Sequence, residues 1–172
     1  MTGSDNMVNV ERLAKSLPLP CHRVYNNLLN LFGDSLSISN IIDYVELQKP
    51  VIVDYSSMDV GRTGLVISLT DVYYIVIRED INNKRKTMTL LHELSHILLN
   101  HIKTENFLWN DIAKQIPINI LYDHINTDTY ASPLELEAES LATVLDIKIR
   151  QCEYLASLPT IVRDSIKREY QK

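Results

Sequence analysis

Cysteine is scarce in this 172-residue sequence: only Cys21 and Cys152 occur. Two thiols so far apart in the chain say little about a disulfide framework. Long apolar runs are absent too, and none approaches the roughly eighteen residues a membrane-crossing helix needs. No internal repeat or low-complexity tract occurs, so neither a solenoid nor a biased tail is expected. Positive charge is outweighed, with 17 Lys and Arg against 22 Asp and Glu. The resulting net charge of −5 disfavours a broad nucleic-acid surface. The opening stretch MTGSDNMVNVERLAKSLPLP lacks the charged-then-apolar pattern of a signal segment. A soluble, cytoplasmic protein with no membrane association and no direct nucleic-acid binding is the expectation. Hydrophobic residues make up 45% of the chain, enough for one domain to bury a core without disulfides.

What the sequence does contain is concentrated in KTMTLLHELSHILLNH, Lys86 to His101, where His92, Glu93 and His96 form an H-E-x-x-H motif. Residues four apart on a helix lie one turn apart on the same side, so two imidazoles can grip one ion. Leu91, Leu94, Ile97 and Leu98 form an apolar stripe, and His92 and His96 share the opposite side. Neutral imidazole suits Zn²⁺. Zinc lowers the pKa of water at the metal to about 7, and Glu93, beside the ligand side, is placed to take a proton from it. That combination belongs to a hydrolase. The bland reading is a helix carrying two exposed histidines and a solvated glutamate.

A third ligand decides between these readings. The longer metzincin motif needs Gly at position 99 and His at position 102, where this chain has Leu99 and Ile102. His101 lies half a turn from His92 on a continuous helix and reads as a surface or helix-end residue. The remaining source is a glutamate on a second helix, announced by Ser132-Pro133-Leu134-Glu135 with Ser as cap, Pro at the first helical position and Glu completing a capping box. Its apolar face runs through Leu134, Ala138, Leu141, Ala142, Leu145 and Ile149. Glu137 lies at one edge of that face and Glu135 at the other, with Glu135 also claimed by the cap; Glu139 points further outward.

His92-Glu93-Leu94-Ser95-His96, followed by Glu135-Leu136-Glu137-Ala138-Glu139-Ser140-Leu141-Ala142, resembles the ImmA/IrrE metallopeptidases, whose later motif reads roughly E-x-E-A-N-x-F-A. Glu139 stands where that pattern has Asn, and Leu141 where it has Phe. The resemblance covers roughly residues 8–150. It implies a compact gluzincin-like zinc endopeptidase with His92, His96 and Glu137 as metal ligands and Glu93 as catalytic base. It also implies a protein substrate of the transcriptional-regulator kind, such as a helix-turn-helix repressor of a phage or mobile element. The alternative is a zinc-binding regulatory or sensing module that binds a regulator without cleaving it.

The rest of the chain reads as an α+β domain spanning 1–172. Residues 1–50 form a helical support, with helices over Asn9–Leu17, Cys21–Phe32 and Ser37–Gln48. Residues 51–101 hold the sheet and the motif helix, with strands at 51–53, 64–69 and 72–77 forming a small, mostly antiparallel sheet packed with helices. The last strand is expected beside the cleft, where its edge can bind extended substrate, or else as a buried core strand. Residues 102–150 hold a connection and the glutamate-bearing helix. The connection, 103–131, is too apolar for a plain linker and reads as a short helix, packed loop or lid; its His124 and Tyr130 are candidate oxyanion stabilisers. Residues 151–172 read as two closing helical segments divided by Pro159. Lys84, Arg85 and Lys86 read as a solvated start to the motif helix, and Cys21-His22 as an ordinary helical pair.

Overall fold

The computed structural model describes residues 10–58, 61–102 and 133–170. Three short helices come first: α1 (Val10–Lys15), α2 (Leu19–Phe32) and α3 (Ile38–Glu46), with a 3-10 turn at Gly33–Ser35. Pro20 sits in the first turn of α2, where its missing N–H costs nothing, and Gly33 ends the helix with a φ of 51°. Ser37 caps α3, its side chain accepting the Asn40 amide at 3.2 Å.

Strands β1 (Val51–Ser56), β2 (Gly64–Ser68) and β3 (Tyr73–Arg78) form one sheet in the order β1-β3-β2. The α+β class is as expected. The sheet is mixed, however: β2 pairs antiparallel with β3, while β1 joins the other side of β3 in parallel, Val51 opposite Tyr73 and Ser56 opposite Arg78. The central place of β3 explains its continuous apolar run, because both faces are covered. Ile75 and Ile77 belong to the main core with Val66 of β2; Tyr74 and Val76 face the other way, into a smaller cluster with Ile67, Leu69 and Val72. The last strand is therefore the buried core strand, and the edge next to the motif helix is β2.

The motif helix, α4 (Asn83–Leu98), starts three residues before Lys86, because Asn82 caps it by accepting the Arg85 amide at 2.9 Å. Lys84 and Arg85 are exposed at its start, as expected. The long helix α5 (Pro133–Ser157) packs on α4, and α6 (Thr160–Tyr170) follows Pro159. One of the two closing segments is thus the end of α5: the chain from Cys152 to Ser157 continues the same helix, and Cys152 is buried in its stripe. Leu91, Leu94 and Ile97 of α4 meet Leu141, Ala142, Leu145 and Ile149 of α5 in the main core, with Cys21, Tyr25, Leu28, Ile41 and Val45 from the helical support. Each fully buried leucine here contributes about 2 kcal/mol of burial, so the α4–α5 pairing is firmly held. Among the described residues, no helix is long and apolar enough to cross a membrane. The connection at 103–132, with His124 and Tyr130, and the capping Ser132 lie outside the described residues.

Candidate metal centre

The helix α4 offers His92 and His96 from one side, their Nε2 atoms 3.1 Å apart and their rings nearly perpendicular. From α5, the carboxylate of Glu135 closes the third side: Oε2 lies 3.2 Å from His92 Nε2 and Oε1 3.3 Å from His96 Nε2. One donor atom from each of the three residues falls within 4.8 Å of the others. Donors bound tetrahedrally at zinc distances would stand roughly 3.3 Å apart. The observed separations and the two-imidazole, one-carboxylate donor set both fit such an ion.

The carboxylate that meets the two imidazoles is thus Glu135, where the resemblance points to Glu137. The physical reason is the register of α5. Ala138, Ala142, Leu145, Ile149 and Cys152 are all buried and follow one another at spacings of three and four. Glu135, three before Ala138, continues that row toward α4, whereas Glu137 lies roughly 200° round the helix from it.

Glu137 instead reaches His101, its Oε2 lying 3.2 Å from His101 Nε2. His101 is no surface residue, since only 7% of its side chain is exposed. The helix is not continuous as far as His101. Asn100 adopts a φ of 56°, its amide donates to the Ile97 carbonyl, and the His101 amide donates to the His96 carbonyl, both at 2.9 Å. This is a Schellman turn, which folds the chain back over the end of α4. It brings His101 Nδ1 to 3.2 Å from His96 Nδ1. The available signal was Asn100, a residue type that tolerates the left-handed region, directly after the last apolar pair of the helix. His92 has its own backing partner, with Glu139 Oε2 3.1 Å from its Nδ1.

Glu93 follows His92 on α4 and is 7% exposed. Burial, with the nearby Glu135 charge second, pushes its carboxyl up to about 8. Burial, followed by His92 and His101, lowers His96 to about 4, so its ring is neutral at pH 7 and its lone pair is free for a metal. Gly64, the first residue of β2, lies against this part of the helix. A Cβ there would overlap Thr89 Cγ2 and stand 2.8 Å from Glu93 Oε1. The thiols are not part of this chemistry. Both are free and buried, and burial raises Cys21 to about 11, with its Sγ 3.4 Å from the Glu137 carbonyl oxygen. His22 is held by Asn26 at 3.1 Å, an ordinary helical pair.

Comparisons of the chain with protein-family models, with curated proteins and with solved structures find no match.

Proposed function

We propose that the protein is a zinc-dependent endopeptidase, with His92, His96 and Glu135 holding the ion and Glu93 acting as the base. The observation that carries this reading is the convergence of two imidazoles and one carboxylate from two helices, with the buried carboxyl of Glu93 close to that carboxylate. A zinc ion there supplies a Lewis acid for water and for a peptide carbonyl. Three protein ligands leave a coordination position free, as catalytic rather than structural sites do. Glu93 takes the proton of the attacking water and passes it to the leaving amine. Its carboxyl rises in pKa when buried, which suits a group that must hold a proton between those two steps.

The outer edge of β2 supplies a way to hold extended substrate. The Arg78 amide donates to the Thr63 carbonyl at 2.9 Å, which sets the antiparallel alternation. The backbone groups of Leu65 and Ile67 then face β3, and those of Gly64 and Val66 face outward. Among the described residues no further strand pairs with that edge, so a peptide can add there next to Glu93. The resemblance to ImmA/IrrE metallopeptidases supports a transcriptional regulator, such as a repressor, as the substrate.

A second reading is a zinc-binding module that holds a regulator without cutting it. The burial of Glu93 favours it, since a carboxyl raised to about 8 is largely protonated at neutral pH before any metal binds. Incubating the zinc-loaded protein with a library of extended peptides, followed by mass spectrometry of the products, separates the two. Cleavage that is lost in Glu93→Gln, lost with a chelator and restored by zinc supports the peptidase. Equal cleavage by wild type and Glu93→Gln overturns Glu93 as base, and zinc-dependent peptide capture without cleavage supports the binding module.

A further inference from the structure

We propose that His101 and Glu137 are a positioning pair for His96, a two-residue relay that keeps the Nδ1 of His96 occupied and leaves its Nε2 lone pair directed at the metal position. The inference rests on the metal-centre reading above and concerns how this chain orients its own ligands.

Four ring nitrogens and one carboxylate lie in a row: Glu137 Oε2 is 3.2 Å from His101 Nε2, His101 Nδ1 is 3.2 Å from His96 Nδ1, and His96 Nε2 faces His92 and Glu135. A carboxylate only accepts, so His101 carries its hydrogen on Nε2 and donates it to Glu137. In that tautomer the ring's Nδ1 is bare. Two bare nitrogens facing each other at 3.2 Å would leave both unsatisfied in a buried place, so His96 supplies the hydrogen from its own Nδ1. The remaining nitrogen of His96 is therefore the bare one, and it is the one that meets His92 and Glu135. Each step fixes the next, starting from Glu137.

Both ends of the relay are anchored. The Schellman turn pins the His101 backbone to the carbonyl of His96 itself, so ligand and partner move together. Glu137 sits on α5 with its carbonyl oxygen accepting from the buried Cys21 thiol. His92 is backed differently, by direct contact of its Nδ1 with Glu139. The second helix thus spends three glutamates on three histidines: Glu135 meets both metal-facing nitrogens, Glu139 backs one ring directly, and Glu137 backs the other through an intervening imidazole. Metal-bound histidines generally need such a partner on the second nitrogen, and its loss costs about 10- to 100-fold in metal affinity.

Zinc affinity by chelator competition in wild type, His101→Ala, His101→Gln and Glu137→Gln tests the pair, together with ring-nitrogen NMR of the metal-free wild type. His101→Ala and Glu137→Gln are expected to bind zinc about 10- to 100-fold more weakly. His101→Gln is expected to recover most of that loss, because its amide oxygen can accept from His96 while its NH₂ donates to Glu137. NMR is expected to find His96 protonated on Nδ1 and His101 on Nε2. Wild-type affinity in both His101→Ala and Glu137→Gln overturns the pair while leaving the metal centre standing. A His101→Gln variant as weak as His101→Ala, or the reverse tautomers, also overturns it. Failure of the wild type to bind zinc overturns the metal centre itself.

Discussion

Replacing Glu93 by Gln is expected to make the metal-free protein more stable, and more so as pH rises. Glu93 is buried, and its carboxyl is raised from 4.5 to about 8. Between those values the folded chain holds a proton that the unfolded chain releases. Stability from this group is therefore fully present below pH 4.5 and is lost as pH climbs to about 8. With 1.36 kcal/mol per pKa unit, the loss relative to low pH is under about 1 kcal/mol at pH 5 and about 3 kcal/mol at pH 7. Gln does not titrate, so the difference between variant and wild type should grow by about 2 to 3 kcal/mol from pH 5 to pH 7. Comparing the two proteins at each pH cancels the contribution of His96, which both share. Urea denaturation in a chelating buffer is the assay. With a slope of roughly 2 kcal/mol per molar for a chain of this size, the gap between midpoints should widen by about 1 M. A gap that stays constant from pH 5 to pH 8 refutes the assignment of Glu93 as a desolvated carboxyl. The same change is expected to abolish peptide cleavage, so stability and activity should move in opposite directions.

Gly64→Ala drives a methyl into Thr89 and toward the Glu93 carboxyl; a loss of about 1 to 3 kcal/mol is expected in urea denaturation. Adding Thr89→Ser should recover part of it, and an unperturbed single variant counts against the close approach of β2 to α4. At Asn100, with its φ of 56°, Gly should be tolerated, while Ala should cost about 1 kcal/mol and weaken zinc binding by shifting His101; equal behaviour of the two variants contradicts the turn. His96→Gln should flatten the acid side of the metal-free stability profile. Its folded value of about 4 lies below the ordinary 6.5, so the unfolded chain takes up the proton first and stability falls by about 3 kcal/mol as pH drops from 6.5 to 4. An unchanged acid limb in the variant would show that His96 is not buried neutral.

The motif helix, its apolar stripe and the two imidazoles were legible because they are local: spacing along one helix fixes which side chains share a side. The α+β class was legible for the same reason, from alternation and β-branched runs. Strand order was not. Whether β1 joins β3 or β2 depends on which partner buries Val51 and Val53 against the helices, and nothing within six residues of sequence states that. The carboxylate that meets the two imidazoles was nearly legible. Glu135 stands in the same three-four row as Ala138, Ala142, Leu145 and Ile149, but the capping box beginning at Ser132 offered it a competing role. His101 was missed through the assumption of an unbroken helix, since one left-handed residue at Asn100 redirects everything after it.

The two halves of the candidate metal centre stand on α4 and α5, and those helices are held together by Leu91, Leu94, Leu141 and Leu145. An ion held there and the apolar seam would therefore depend on the same quantity, the spacing and rotation of one helix against the other. A methyl group removed from that seam is expected to change the spacing of the three candidate ligands. If the proposed centre holds zinc, chelation becomes a ruler laid across the core, and zinc affinity is expected to report how well that core is packed.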